Sequence, residues 1–117
     1  MADLANKKCV PCEGGVPPAS DDEIAELRRQ VPDWKVVERD GVKRLERKFL
    51  LPDFASALEL ANRVGEVAEE QGHHPLLCLT WGELTVTWWT HAIGGLHEND
   101  FVMAARTDRL ERPEGPG

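Results

Sequence analysis

Residues 20–32 carry the hydrophobic pattern of a short amphipathic helix. Ser20 is suited to cap its first turn, and Glu23, three residues later, can complete a capping box. Apolar side chains then recur at intervals of three and four residues, at Ile24, Leu27 and Val31. Pro32 lacks a backbone N–H and is expected to end the helix.

Two strand-like runs follow, and the dipeptide between them predicts a hairpin. The runs are Trp34–Arg39 and Val42–Leu50, and Asp40-Gly41 separates them. An Asp-Gly pair is favoured in two-residue hairpin turns because both turn positions adopt positive φ values. In the second run, Leu45 and Phe49 alternate with charged residues, as expected for a strand with one exposed face.

The longest predicted helix begins at Pro52-Asp53 and ends at Gly72, a residue that readily forms a left-handed C-terminal cap. Its apolar positions recur at helical spacing. They are Phe54, Ala57, Leu58, Ala61, Val64 and Ala68. This pattern predicts a helix with one buried face.

A second hairpin is predicted from Leu76–Trp81 and Glu83–Thr90, with Gly82 in the turn. Side chains alternate between the two faces of a strand. One face of the last strand should therefore carry Leu84, Val86 and Trp88, and the other Thr85, Thr87 and Trp89, followed by His91. A final helix is predicted over Asn99–Leu110.

The predicted order of elements is α-β-β-α-β-β-α, which is typical of an α+β fold. Paired hairpins imply one four-stranded antiparallel sheet, with the helices packed on one face. The other face would stay open, and Trp89 favours self-association there as a homodimer or homotetramer. We expect residues 20–111 to form a single domain, residues 1–19 a loosely ordered arm and residues 112–117 a disordered tail.

Composition narrows the classes of partner. The chain has 117 residues and a formal net charge of −7, which argues against non-specific nucleic-acid binding. It contains no apolar run long enough to span a membrane and no apolar N-terminal stretch typical of a signal peptide. We therefore expect a cytoplasmic protein without a membrane partner.

The three cysteines do not form a disulfide framework. Cys9 and Cys12 form a CxxC motif, whereas Cys78 lies far away in an apolar run. A structural zinc site usually needs four ligands, and this motif supplies two. Its Pro- and Gly-rich surroundings are also unlike a redox CxxC, so we expect no catalytic role.

All four histidines lie within residues 73–97, and the second hairpin should bring His73, His74 and His91 to the same end of the sheet. Three interpretations remain open: exposed histidines at element ends, a metal site, or metal-free acid/base catalysis. Adjacent histidines lack the i, i+4 spacing of ligands on one helix face, which weakens the metal interpretation. Glu69, one helical turn before His73, either orients an imidazole or is a solvated helix residue.

Two segments resemble the pterin-4a-carbinolamine dehydratase family. Residues 69–75 match its E-x-x-x-H-H-P pattern, and residues 90–100 match its T-H-x-x-G-G-L pattern with a following Asp. The resemblance covers about residues 20–108. It implies dehydration of a 4a-hydroxytetrahydropterin to a quinonoid dihydropterin, as in tetrahydrobiopterin recycling, with no metal and no organic cofactor.

The same resemblance implies roles for individual residues. The implied catalytic set is His73, His74 and His91, in which His73 and His91 form the acid/base pair and His74 positions the substrate. The implied substrate-binding residues are Glu69, Pro75, Thr90 and Asp100. An alternative function is a protein-binding dimerisation module of the coactivator type, which would use the open sheet face.

One departure from the family pattern concerns the start of the last helix. The family usually has Thr after G-G-L, where its hydroxyl would cap the helix. Here the residue is His97, and imidazole is not among the preferred N-cap side chains. We therefore expect poorer capping at this position.

Overall fold

The seven helices and strands predicted from the hydrophobic pattern are present in the computed structural model, which describes Leu4 and residues 17–111. In chain order they are α1 (Asp21–Arg28), β1 (Lys35–Arg39), β2 (Val42–Leu50), α2 (Phe54–Gln71), β3 (Leu76–Thr80), β4 (Glu83–Trp88) and α3 (Glu98–Glu111). The predicted α+β order is confirmed. Cys9, Cys12, the predicted tail and most of the predicted arm lie outside the described residues, and none of the described helices is long and apolar enough to cross a membrane.

Side chains cap the N-termini of α1 and α2. The Glu23 N–H donates to Ser20 Oγ at 3.2 Å, and the Ser20 N–H donates to Glu23 Oε1 at 2.8 Å, so the predicted capping box forms. In α2, the Ser56 N–H donates to Asp53 Oδ1 at 2.8 Å. These bonds satisfy amides that have no partner within the helix.

The first helix ends earlier than its apolar pattern suggests. Regular helix stops at Arg28, and the N–H groups of Arg29, Gln30 and Val31 bond to carbonyls three residues back. Pro32 explains the change, because the residue before a proline is disfavoured in α conformation. Val31 is nevertheless fully buried, as its place in the apolar pattern predicts.

The strands form one antiparallel sheet in the order β1-β2-β4-β3. Its two central strands come from different hairpins, and Leu45 of β2 lies opposite Trp88 of β4. Helix α2 packs against β3 and β4, and α3 packs against β2 and β4. The alternation predicted for β4 is confirmed, since Leu84, Val86 and Trp88 are fully buried. Leu4 also belongs to the buried core.

Trp34 links the sheet to α3. Its side chain is fully buried, its ring meets Phe49 edge-on at 6.1 Å, and its Nε1–H donates to Asp108 Oδ1 at 2.9 Å. Arg47 donates to the same oxygen at 2.6 Å. Burial raises the pKa of Asp108 above its ordinary value, and the hydrogen bonds from Trp34 and Arg47 oppose that rise. The network fixes the C-terminal half of α3 against β2.

The sheet face opposite the helices is largely polar. Glu46 accepts hydrogen bonds from Arg39 at 3.1 Å and from the Thr87 hydroxyl at 2.8 Å. The Arg44 guanidinium lies 4.1 Å from the centroid of the Trp89 ring. This face therefore carries more charge than the sequence interpretation, centred on Trp89, anticipated.

Glu46 provides a test of this polar face. The hydrogen bond from Arg39 holds the pKa of Glu46 below its ordinary value of 4.5, and the Thr87 hydroxyl adds to the effect while partial burial opposes it. A lowered folded-state pKa stabilises the fold above the unfolded-state pKa, and the gain is lost as pH falls through the folded value. Urea unfolding should thus show Glu46→Gln to be about 0.5 kcal/mol less stable than the native chain near neutral pH. The difference should shrink below about pH 4; a gap that is constant with pH would contradict this.

Candidate active site

The end of α2 determines where the two adjacent histidines lie. Gly72 adopts a left-handed conformation, with φ 66° and ψ 30°. Its N–H donates to the Glu69 carbonyl at 3.3 Å, and the His73 N–H donates to the Ala68 carbonyl at 3.1 Å. This pair of bonds is a Schellman motif, which closes the helix and turns the chain sharply. The turn brings His73 to the start of α3.

Asp100 joins His73 to Thr90. The His73 Nε2 lies 2.6 Å from Asp100 Oδ1, and the Thr90 hydroxyl donates to Oδ2 at 2.8 Å. The backbone N–H of His97 donates to the same Oδ2 at 3.0 Å. Asp100 is fully buried, so these groups replace the water that would otherwise solvate its carboxylate.

The contacts of His73 leave one ring nitrogen for chemistry. A carboxylate only accepts hydrogen bonds, so the neutral ring carries its proton on Nε2, toward Asp100. Its Nδ1, which has no hydrogen-bond partner among Leu4 and residues 17–111, then presents a lone pair that can accept a proton. The ring stacks on the Trp88 indole with centroids 5.7 Å apart and planes at 6°, and 11% of the side chain is exposed.

His74 points to a different carboxylate. Its Nε2 lies 2.6 Å from Glu69 Oε2, and both side chains are mostly exposed. Of the two interpretations of Glu69, the contact supports orientation of an imidazole, with His74 rather than His73 as the partner. Pro75, between His74 and β3, is half-buried.

His91 begins a short 3₁₀ turn directly after the buried Thr90. The Thr90 N–H donates to the Gly95 carbonyl at 2.9 Å, which closes the loop on itself. Gly94 has a φ of 63°, a conformation that favours glycine. A Cβ on Gly95 would lie 2.9 Å from Pro18 Cβ, so the chain before α1 leaves no space for a side chain there.

The rings of His73 and His91 lie against consecutive tryptophans. His73 stacks on Trp88, which faces the helices, whereas the His91 ring lies 4.4 Å from the ring of Trp89 on the opposite sheet face. Because β4 ends at Trp88, the two imidazoles flank the end of one strand. Within the described chain, the His91 ring takes no part in the hydrogen bonds around Asp100, although Thr90, its neighbour, does.

The expectation that His97 would be a poor cap is wrong. Its Nδ1 accepts the Asn99 N–H at 3.0 Å, and Asp100, three residues into α3, accepts the His97 N–H in return. The arrangement is reciprocal in the manner of a capping box, with a ring nitrogen as the acceptor. A neutral imidazole has one ring nitrogen with a lone pair that can accept a backbone N–H. General N-cap preferences do not reveal this capacity of histidine.

Sequence reasoning placed Trp89 and His91 on one face without predicting their ring contact, and it missed Trp88 and His97 as neighbours of the site. Strand alternation assigns the two tryptophans to faces, but their contacts with histidines depend on the turns at Gly72 and Thr90. Across Leu4 and residues 17–111, no group of three or more His, Cys, Asp or Glu side chains is arranged to hold a metal ion.

The geometry can be compared with known proteins. Residues 17–110 match the family model described as pterin 4 alpha carbinolamine dehydratase. Relatives from Chlorobium limicola and Nitrosococcus oceani, both provisionally named pterin-4-alpha-carbinolamine dehydratase, are 54% and 52% identical over 110 residues. Each alignment covers 94% of this chain and 97% of the relative.

A solved structure from Brucella melitensis shares the fold. It is described as a transcriptional coactivator/pterin dehydratase and aligns with a TM-score of 0.75 and 27% identity. The alignment covers 81% of this chain and 99% of that chain. The match to the family model and the two close relatives lead to one assignment: this chain belongs to the pterin 4 alpha carbinolamine dehydratase family, which is named for a hydro-lyase activity.

Proposed function

We propose that this protein dehydrates a 4a-hydroxytetrahydropterin to the quinonoid dihydropterin, in pterin recycling. The observation that carries the proposal is the buried carboxylate of Asp100, which holds His73 by Nε2 and leaves Nδ1 as a proton acceptor. The residues that form this arrangement lie within residues 17–110, the part of the chain that matches the family model.

The reaction requires two proton transfers and no change of oxidation state. The C4a–O bond breaks as the hydroxyl accepts a proton and leaves as water. The ring nitrogen N5 loses its proton, and a C4a=N5 double bond forms. An acid and a base on either side of the pterin can serve both transfers, and imidazoles suit both because they change charge near neutral pH.

The contacts favour different roles for the histidines. We assign His73 as the base that removes the N5 proton, because Asp100 orients its ring through Nε2 and the Nδ1 lone pair is left to accept the proton. We assign the other transfer, protonation of the leaving hydroxyl, to His91, an exposed residue just beyond the end of β4. In this proposal the pterin lies across that end of the strand, between the two rings.

The remaining motif residues position the substrate. His74 and Glu69, hydrogen-bonded to each other at the exposed rim, are assigned to orient the pterin, and Pro75 and Thr90 to shape its site. Asp100 acts through His73 rather than on the substrate, because its carboxylate is fully buried. The proposed chemistry uses neither a metal nor an organic cofactor. Self-association and a cytoplasmic location stay predictions.

The direct test is an assay on the purified chain with chemically generated 4a-hydroxytetrahydropterin. We expect the absorbance change of dehydration to accelerate in proportion to protein concentration. The rate should exceed that with the same concentration of free imidazole by at least about 100-fold, because positioned acid/base groups contribute factors of this size. A rate equal to that of the imidazole control would refute the proposed function.

A further inference from the structure

His97 contacts Asp100 at the start of α3. Its Nδ1 accepts the Asn99 N–H, and its backbone N–H donates to Asp100 Oδ2, each at 3.0 Å. The Asp100 N–H returns to the His97 carbonyl at 2.9 Å. The first turn of α3 and the Asp100 carboxylate are thus held by one residue.

The capping bond requires one protonation state of the ring. An amide N–H can only donate, so Nδ1 must present a lone pair, and the neutral ring carries its proton on Nε2. Protonation at Nδ1 would place a ring N–H opposite the Asn99 N–H, and two donors cannot form a hydrogen bond. It would also place a positive charge at the positive end of the helix dipole. The protonated ring therefore cannot cap Asn99.

We infer that His97 is a positioning residue whose neutral imidazole fixes Asp100, and through it His73, and whose protonation releases this arrangement. The inference rests on the proposed function as far as catalysis is concerned. The link from the ring runs through the backbone of the first turn of α3. The ring accepts the Asn99 N–H, and the backbone N–H of His97 donates to Asp100 Oδ2, while Asp100 Oδ1 lies 2.6 Å from His73 Nε2.

Acidic side chains line the same cleft as His97 and offer its protonated ring hydrogen-bond partners other than the Asn99 amide. A surface cleft of about 610 Å³ lies between α1 and the start of α3, and His97 lines it. The carboxylates facing this cleft come from α1 and from the first residue of α3: Asp22, Glu23, Glu26 and Glu98. The Asp100 carboxylate accepts the His97 backbone N–H. Pro17–Ala19, the third segment of the lining, contributes no charge. An imidazolium can turn to these groups and leave the Asn99 amide uncapped.

Substitutions at His97 separate capping from titration. His97→Thr provides a hydroxyl cap that does not titrate, whereas His97→Ala provides no cap. In the dehydration assay near pH 8, we expect His97→Ala to lower kcat about five- to tenfold with KM changed less than about twofold, and His97→Thr to restore most of the loss. Equal kcat values for His97→Ala and the native chain would overturn the inference.

The pH profile gives a second readout that a purely structural role would not move. The native chain and His97→Thr share every ionisable side chain except that of His97, so the ratio of the two kcat values isolates the contribution of residue 97. We expect this ratio to fall at least about threefold between about pH 8.5 and about pH 5.5, the range in which imidazoles change charge. A ratio that is constant over this range would overturn the inference.

An NMR measurement keeps the inference testable if the chain proves inactive in the assay. The ¹⁵N shifts of the His97 ring should show the Nε2–H tautomer near pH 8, and the Asn99 amide should shift and lose exchange protection as that ring protonates. An Nδ1–H tautomer, or an Asn99 amide unaffected by protonation, would overturn the inference. As a matched control, Asp53→Ala removes the cap of α2, and it should leave the Asn99 signal and its pH dependence unchanged.

Discussion

Replacing His73 and His91 together by alanine is expected to lower kcat/KM for dehydration by about 10³- to 10⁴-fold. Each positioned acid or base contributes about 10²- to 10⁴-fold to a proton transfer. The two losses should not multiply, because one proton transfer without the other does not complete the reaction. Each single alanine variant should therefore lose most of the activity that the double variant loses.

Two further variants separate catalysis from folding. His73→Ala removes a donor from the buried Asp100 carboxylate, so part of its effect could reflect a disturbed α3. His73→Gln can still donate to that carboxylate but cannot accept a proton at neutral pH, and it should be nearly as inactive as the alanine variant. His74→Ala should lose only about tenfold, mainly in KM, because His74 is assigned to positioning.

The measurements are initial rates, with near-ultraviolet circular dichroism to confirm native packing. A folded double variant with the native rate would remove the histidines from the mechanism. A His73→Gln variant with native activity would leave the fold assignment intact and exclude His73 as the base.

The second large effect concerns stability. Trp34→Ala should lower the free energy of unfolding by about 4 kcal/mol, within the range observed when a buried tryptophan is truncated. The side chain is fully buried, and its indole N–H is one of two donors to Asp108 Oδ1. The substitution therefore opens a cavity and removes a hydrogen bond from a partly buried carboxylate.

Trp34→Phe distinguishes these two contributions. It retains most of the ring volume beside Phe49 but cannot donate to Asp108, and it should lower the free energy of unfolding by about 1–2 kcal/mol. Trp81→Ala is the matched control, because Trp81 is 69% exposed and should change stability by less than about 0.5 kcal/mol. Urea denaturation measures the free energy of unfolding of all three variants. A Trp34→Ala effect as small as that of Trp81→Ala would contradict the contribution assigned to Trp34 in the core.

The local parts of the fold could be predicted because they depend on residues close in sequence. The Ser20 capping box, the Asp53 cap and the left-handed Gly72 each require groups within five residues of one another. The pairing of β2 with β4 could not be predicted in this way. It joins strands from different hairpins, and their adjacency depends on how α2 crosses the sheet and packs on it.

In the site too, contacts between residues close in sequence were easier to predict than contacts between distant ones. The motif pattern identifies His73 and Asp100, but their contact spans 27 residues and requires both the turn after α2 and the cap of α3. The His74–Glu69 contact spans five residues and was within reach of sequence reasoning, which left open whether Glu69 orients an imidazole and did not name His74 as its partner. The role of His97 was missed because N-cap preferences describe residue types rather than tautomers.

The close approach of Gly95 to Pro18 bears on how far the chain can be shortened. The Ala19 N–H also donates to the Leu96 carbonyl at 2.8 Å, so residues just before α1 support the loop that carries His91. A truncated protein that starts at the first residue of α1 would retain all the motif residues and yet lose this support. The smallest fragment that preserves the loop therefore has to include Pro18 and Ala19.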